Sequence, residues 1–261
     1  MRRPLYLAGA ARAVELDGPA LRISMNGQAD GRIPLRLLSR VIVRGSVSWS
    51  TAALTACFGA GIPLIFLRPD GQALGLCLPS VQTEESLCRR LARLEEEPDN
   101  LAAFADWARA EERRAILAHA LPPGNREAPD LRPQSYRQQV LRDLDPSTQR
   151  ALALWQQLEG LLVAQLSELF LGAGLNTRFA APAQRGRLDP FSAFLAAGRW
   201  ELVPTLRRLS AHRARHPEAW REGDQRRRRL ARHYEATAPA IAASFRRRLL
   251  RLELWCQERA P

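Results

Sequence analysis

Two adjacent carboxylates, Glu111-Glu112, stand in a segment of helical periodicity and are followed at once by Arg113-Arg114. A carboxylate is a hard oxygen donor, so one of the pair suits a divalent cation if further oxygen or imidazole ligands come from elsewhere. The same four residues also make an ordinary solvated helix turn, whose ion pairs contribute roughly 0.2–0.5 kcal/mol each. Of the four histidines (His119, His212, His216 and His233), only His212 and His216 share a helix face, at i and i+4. No glutamate lies between them and arginines surround them, which fits a solvated polar face better than a metal site. No phosphate-binding loop, nucleophile elbow, HExxH run or dinucleotide fingerprint occurs.

A second kind of chemistry is concentrated near the C-terminus. Arg226, Arg227, Arg228, Arg229 and Arg232, then Arg246, Arg247 and Arg248, are too dense for one helix face. Guanidinium groups pair bidentately with phosphate, so contact with a nucleic-acid backbone is the expectation for these residues. Trp220, Tyr234, Phe245 and Trp255 are interleaved with them. They could be stacking platforms for bases or, at helical spacing, part of a core.

The elements that must position these groups fall into two regions, an α+β arrangement of a small N-terminal β-domain followed by an all-helical C-terminal domain. Residues 4–43 carry four or five short strands, read from the runs PLYLA, RAVEL, ALRISM, RIPLRL and RVIVR and separated by turns such as Asp17-Gly18 and Asn26-Gly27. Ser50 is suited to cap a short helix over 51–58, which Gly59 and Gly61 stop. The apolar run Ile62 to Leu67 reads as a strand buried on both faces, and Pro69-Asp70-Gly71 turns it into ALGLCL. Pro79 closes this domain at 1–79, a polar linker occupies 80–84, and the helical domain covers 85–261. Helices are expected over about 84–97, 99–121, 146–171, 191–211 and 217–258, with 122–135 a proline-rich loop. Asp145 is expected as N-cap of the long third helix, with Pro146 at its first position. Leu158, Leu162, Leu166 and Leu169 form its apolar stripe.

The distribution of charge narrows the partners. The 39 basic residues are all arginine. Residues 1–170 hold 20 arginines against 19 acids, whereas residues 171–261 hold 19 against 8. A cationic third on a neutral body points to a polyanion. No long apolar segment or lipidation signal supports a membrane anchor. The four scattered cysteines, with no signal peptide, fit a reduced cytoplasmic setting.

The order of these elements resembles the CRISPR-associated Cas1 family. The residues that carry the likeness are Ser46-Val47-Ser48, the helix to Phe58, Gly61-Ile62-Pro63-Leu64-Ile65-Phe66-Leu67 and the Asp70-Gly71 turn. Asp145-Pro146 and Gly174-Leu175-Asn176 extend it more faintly. The resemblance implies a CRISPR adaptation protein that binds DNA, forms a homodimer through the β-domain and works beside a second adaptation subunit. It also implies a metal-dependent DNA endonuclease or integrase using Mg²⁺ or Mn²⁺, with glutamate, histidine and aspartate ligands. Position by position, the glutamate falls on Glu111 or Glu112 and the aspartate on Asp189, with Phe191 or Phe194 as other occupants of that place. The histidine falls near Ala181, where this chain has none. An incomplete ligand set leaves an impaired nuclease as the first expectation. An active site rebuilt from other residues, or a non-enzymatic helical nucleic-acid-binding module outside the family, are the alternatives.

Overall fold

A computed structural model describes residues 2–259 except 10, 28, 81–85, 121–129, 146, 184–185 and 221–222. The expected linker and Pro122-Pro123-Gly124 fall outside the described residues. Among the described residues, eight strands lie in the N-terminal region: β1 (Arg3–Ala8), β2 (Ala11–Asp17), β3 (Ala20–Met25), β4 (Gly31–Pro34), β5 (Leu38–Arg44), β6 (Ser48–Trp49), β7 (Leu64–Leu67) and β8 (Ala73–Cys77). They form two four-stranded sheets, ordered β1-β5-β7-β8 and β4-β3-β2-β6. In the first, β1, β5 and β7 are parallel and β8 turns back antiparallel. The second contains an antiparallel meander with the short β6 added parallel to β2.

The expected short helix is α1 (Thr51–Gly59). Ser50 Oγ accepts from the Ala53 N–H at 3.2 Å, so the cap is formed as anticipated. This helix belongs to the crossover that lets β7 run parallel to β5. Strand alternation assigns the two faces of the first sheet to two cores. Leu5, Leu7, Val41, Val43 and Leu64 point into the sandwich with Val14, Leu21, Ile23 and Cys57. Ile42, Ile65 and Leu67 point the other way, into the helical core.

The helices are α2 (Ser86–Leu94), α3 (Pro98–Ala120), α4 (Pro133–Leu144), α5 (Thr148–Gly172), α6 (Pro190–Gly198), α7 (Val203–Arg215) and α8 (Asp224–Arg259). The central α5 is buried on nearly all sides by Trp155, Leu158, Leu162, Leu166, Phe170 and their neighbours, a wider surface than the leucine stripe alone. Three boundaries differ from expectation. The segment before residue 145 contains the additional helix α4, because Pro133 sits in its first turn, where a missing N–H costs nothing. Ser147, not Asp145, occupies the N-cap of α5; Asp145 instead accepts from the Ser147 N–H at 2.7 Å. The region 191–211 is broken by a 3₁₀ turn over Arg199–Leu202, after which Pro204 starts α7.

Two contacts lock the β-region onto the helices. Arg40, only 4% exposed on β5, donates to Glu168 of α5 and, at 2.6 Å, to Glu235 of α8; Tyr6 also donates to Glu235, at 2.5 Å. The second is a backbone contact between the β7–β8 turn and α5. A Cβ on Gly160 would stand 2.0 Å from the Gly71 carbonyl oxygen and 3.1 Å from Leu67. Helix propensity alone favours Gly160→Ala by about 1 kcal/mol, but overpacking costs about 1–3 kcal/mol and the obstacle here is main chain. We expect a net loss of stability in a thermal melt. Gly172→Ala, whose methyl would meet nothing within 4 Å, should show no such loss.

Candidate metal and nucleic-acid sites

Helix α3 carries Glu111 inward, where it is 1% exposed. Arg251 of α8 faces it with a planar fork: Nε donates to Oε1 at 2.7 Å and Nη2 to Oε2 at 2.5 Å. Arg114, one turn along α3, donates to Oε1 as well. Arg248 places its Nε 3.7 Å from Oε2 while its Nη2 donates to Glu201 at 2.9 Å. Burial alone would raise the Glu111 pKa, but the hydrogen bonds and charges of Arg251, then Arg114, outweigh it and hold the carboxyl below its ordinary value. Neighbouring Glu112 goes the other way. Burial pushes its pKa up, against a hydrogen bond from Trp200 Nε1 at 3.2 Å and the charge of Arg199.

Asp189 serves a different element. It is the N-cap of α6 and accepts from the Ser192 N–H at 2.8 Å. Phe194 of that helix lies 6.2 Å from Trp107 of α3, and farther along Trp200 reaches Glu112. In the described contacts Glu111 meets Arg114, Arg248 and Arg251, whereas Asp189 meets the Ser192 N–H. Phe191 and Phe194 are fully buried, and Phe194 packs on Phe170, Phe245 and the guanidinium of Arg248. At the place expected for the histidine, Phe179 and Ala180 are buried and Ala181 offers no donor.

The fold does bring a third histidine to the His212–His216 pair. Ring centroids are 4.9 Å apart for that pair and 6.1 Å for His212 and His233 of α8. Trp220 Nε1 donates to His212 Nδ1 at 2.9 Å, so in neutral His212 the other nitrogen carries the proton and has no lone pair for a metal. Burial and the charges of Arg229, His216 and Arg215 hold the His212 pKa down. Among the described residues, no group of three or more His, Cys, Asp or Glu side chains is placed to hold a metal ion. Glu111 and Asp189 thus stand without the imidazole that the resemblance implies near Ala181.

The basic residues divide by accessibility. Arg228, Arg232, Arg246 and Arg247 are exposed on α8, and Arg226, Arg227 and Arg229 are half-buried. Arg248 is 3% exposed and points into the core, so its expected contact with phosphate is replaced by the internal network with Glu201 and Glu111. Trp220, Tyr234, Phe245 and Trp255 are all buried, as core aromatics rather than base platforms. Nothing in the sequence alone pointed to Arg251 as the partner of Glu111, because the pair is separated by 140 positions.

Two packed sheets leading into a helical bundle, with a buried glutamate on its second helix, define the class of fold. A family model described as CRISPR associated protein Cas1 matches residues 5–159. The chain belongs to the Cas1 family, which sets aside the alternative of a module outside it. A CRISPR-associated endonuclease Cas1 of Rhodospirillum rubrum is 23% identical over 202 residues, covering 74% of this chain. The chain spans 58% of that relative's length. A Cas1 protein from Thermotoga maritima superposes with a TM-score of 0.71 at 13% identity, covering 94% of this chain and 95% of that one. A casposase bound to integration product gives a TM-score of 0.68 at 12% identity, over 93% and 88% of the two chains. These structural likenesses establish the shared fold.

Proposed function

We propose that this chain is a CRISPR adaptation protein that binds DNA and does not itself carry out metal-dependent cleavage or strand transfer. The observation that carries this reading is the pairing of Glu111 with Arg251. Both carboxylate oxygens that a Mg²⁺ or Mn²⁺ ion would need are taken by guanidinium groups, and Asp189 is committed to a helix cap. A cation-binding carboxylate has here become the acid of a structural ion pair. The exposed arginines of α8 remain suited to backbone phosphate.

The β-region, 1–79, serves in this reading as a dimerisation domain joined through 80–84 to the helical domain, 85–261. Leu16, Leu37 and Leu74 are large apolar side chains exposed on it. A second adaptation subunit is the further partner, and the cytoplasm the location; no helix among the described residues is long and apolar enough to cross a membrane.

The test is a strand-transfer and cleavage assay with Mg²⁺ and Mn²⁺, run beside a gel-shift titration with duplex DNA. DNA binding without either reaction is expected. Robust activity that Glu111→Ala abolishes would overturn the reading in favour of a rebuilt catalytic site.

A further inference from the structure

The parallel strands β1, β5 and β7 point the same way, and their carboxyl ends meet at one place. Ala8 pairs with Arg44, and Arg44 pairs with Leu67. The chain beyond those ends supplies Gly9, Gly45-Ser46 and Pro69, which with Ala11, Arg44 and Arg227 of α8 line a cavity of about 260 Å³. These ends leave a gap lined by loop backbone. Two of the loops turn on glycines with positive φ, 66° at Gly9 and 94° at Gly45. A side chain is strained there, and without one the main chain is open to close approach.

The polar groups set the chemistry of the occupant. Arg44 and Arg227 both line this small cavity, and the charges of Arg227 and Arg226 act on Arg44. Asp70, on the β7–β8 turn, is the carboxylate that acts on Arg44, and its own Oδ1 accepts the Gln72 N–H at 2.9 Å. Burial first, then Arg227 and Arg226, lower the Arg44 pKa, the response of a cation among cations. Ser46, the first serine of the Ser46-Val47-Ser48 motif, adds an exposed hydroxyl at the same rim.

We propose that this cavity is a binding site for a single phosphate group, held by Arg44 and Arg227 with Ser46 and the loop at Gly45 closing over it. The group is either one phosphodiester of bound DNA or a free phosphate. The DNA arm rests on the function proposed above; the free-phosphate arm does not. The site joins the β-domain to the first turns of α8, so its occupant would tie the basic helix to the sheet.

The experiment uses the full chain and three variants: Arg44→Gln, Ser46→Asp at the exposed rim, and Arg246→Gln/Arg247→Gln far along α8. Inorganic phosphate is titrated by calorimetry, and duplex DNA by fluorescence anisotropy across a salt series. If the site takes a phosphodiester, Arg44→Gln and Ser46→Asp each weaken DNA binding about tenfold and lower the salt slope by about one. If it takes free phosphate, both variants lose phosphate binding while DNA affinity is unchanged. Phosphate and DNA binding that are both unaffected by Arg44→Gln and Ser46→Asp would overturn the proposal. In that case, weaker DNA binding by Arg246→Gln/Arg247→Gln would leave the proposed DNA-binding function standing without this site. Absence of any salt-dependent DNA binding, with phosphate still bound through Arg44, would instead overturn the DNA reading alone. Ser46→Asp decides the matter should Arg44→Gln fail to fold.

Discussion

Glu111→Ala should unfold at a markedly lower temperature than the parent chain, whether or not any metal is supplied. The substitution leaves Arg248, 4% exposed at its side chain, without one of its two acids, and removes the shared partner of Arg114 and Arg251. Breaking a buried pair by removing one partner costs about 3–5 kcal/mol. The lower end is expected here, since Arg114 and Arg251 are 59% and 38% exposed and can be rehydrated. At about 3 kcal/mol, the melting temperature falls roughly 6–12 °C. The parent should also show the pH dependence of a paired acid. Its folded pKa lies below the ordinary 4.5, so the pair's contribution is complete above that value and is lost as pH falls through the folded one. A Glu111→Ala chain that melts like the parent, with the same acid limb, would sink the structural assignment of this residue. A purely ligating glutamate would give that outcome.

The second large effect is expected at the junction of sheet and helices. Arg40→Met keeps the apolar stem but leaves Glu168 and Glu235, 30% and 31% exposed, facing each other beside Tyr6. Loss of the shared cation costs about 3 kcal/mol by the same argument, and like charges add to it. Without Arg40 the two carboxylates lose the cation that holds both of them. Adding Glu168→Gln and Glu235→Gln should restore most of the loss, because a neutral cluster no longer needs the guanidinium. Melting curves of the single and triple variants at neutral pH check both statements. A triple variant no better than the single one would show that Arg40 acts through packing alone.

Much of the β-region was legible because its signals are local. Ser50 caps α1 through a contact three residues away, and the Asp70-Gly71 turn needs only the chain on either side. The run from Ile62 to Leu67 was readable as buried on both faces, since no polar residue interrupts it. The helix α4 was obscured because Pro133 at the end of a proline-rich run looks like more loop, although a first-turn proline is compatible with a helix.

The sequence by itself determined the α+β order, the family likeness through Ser46 to Gly71, the basic C-terminal third and the lack of histidine near Ala181. These depend on composition, periodicity and short-range steric rules, which a chain carries wherever it goes. The tertiary structure alone decided that Glu111 meets Arg251 rather than Asp189, that Arg248 turns inward, and that three parallel strand ends enclose a cationic cavity. Each of those facts joins residues far apart in the chain. Whether a carboxylate serves a metal or an arginine depends on which group the packing brings within about 3 Å, and no spacing along the sequence records that distance.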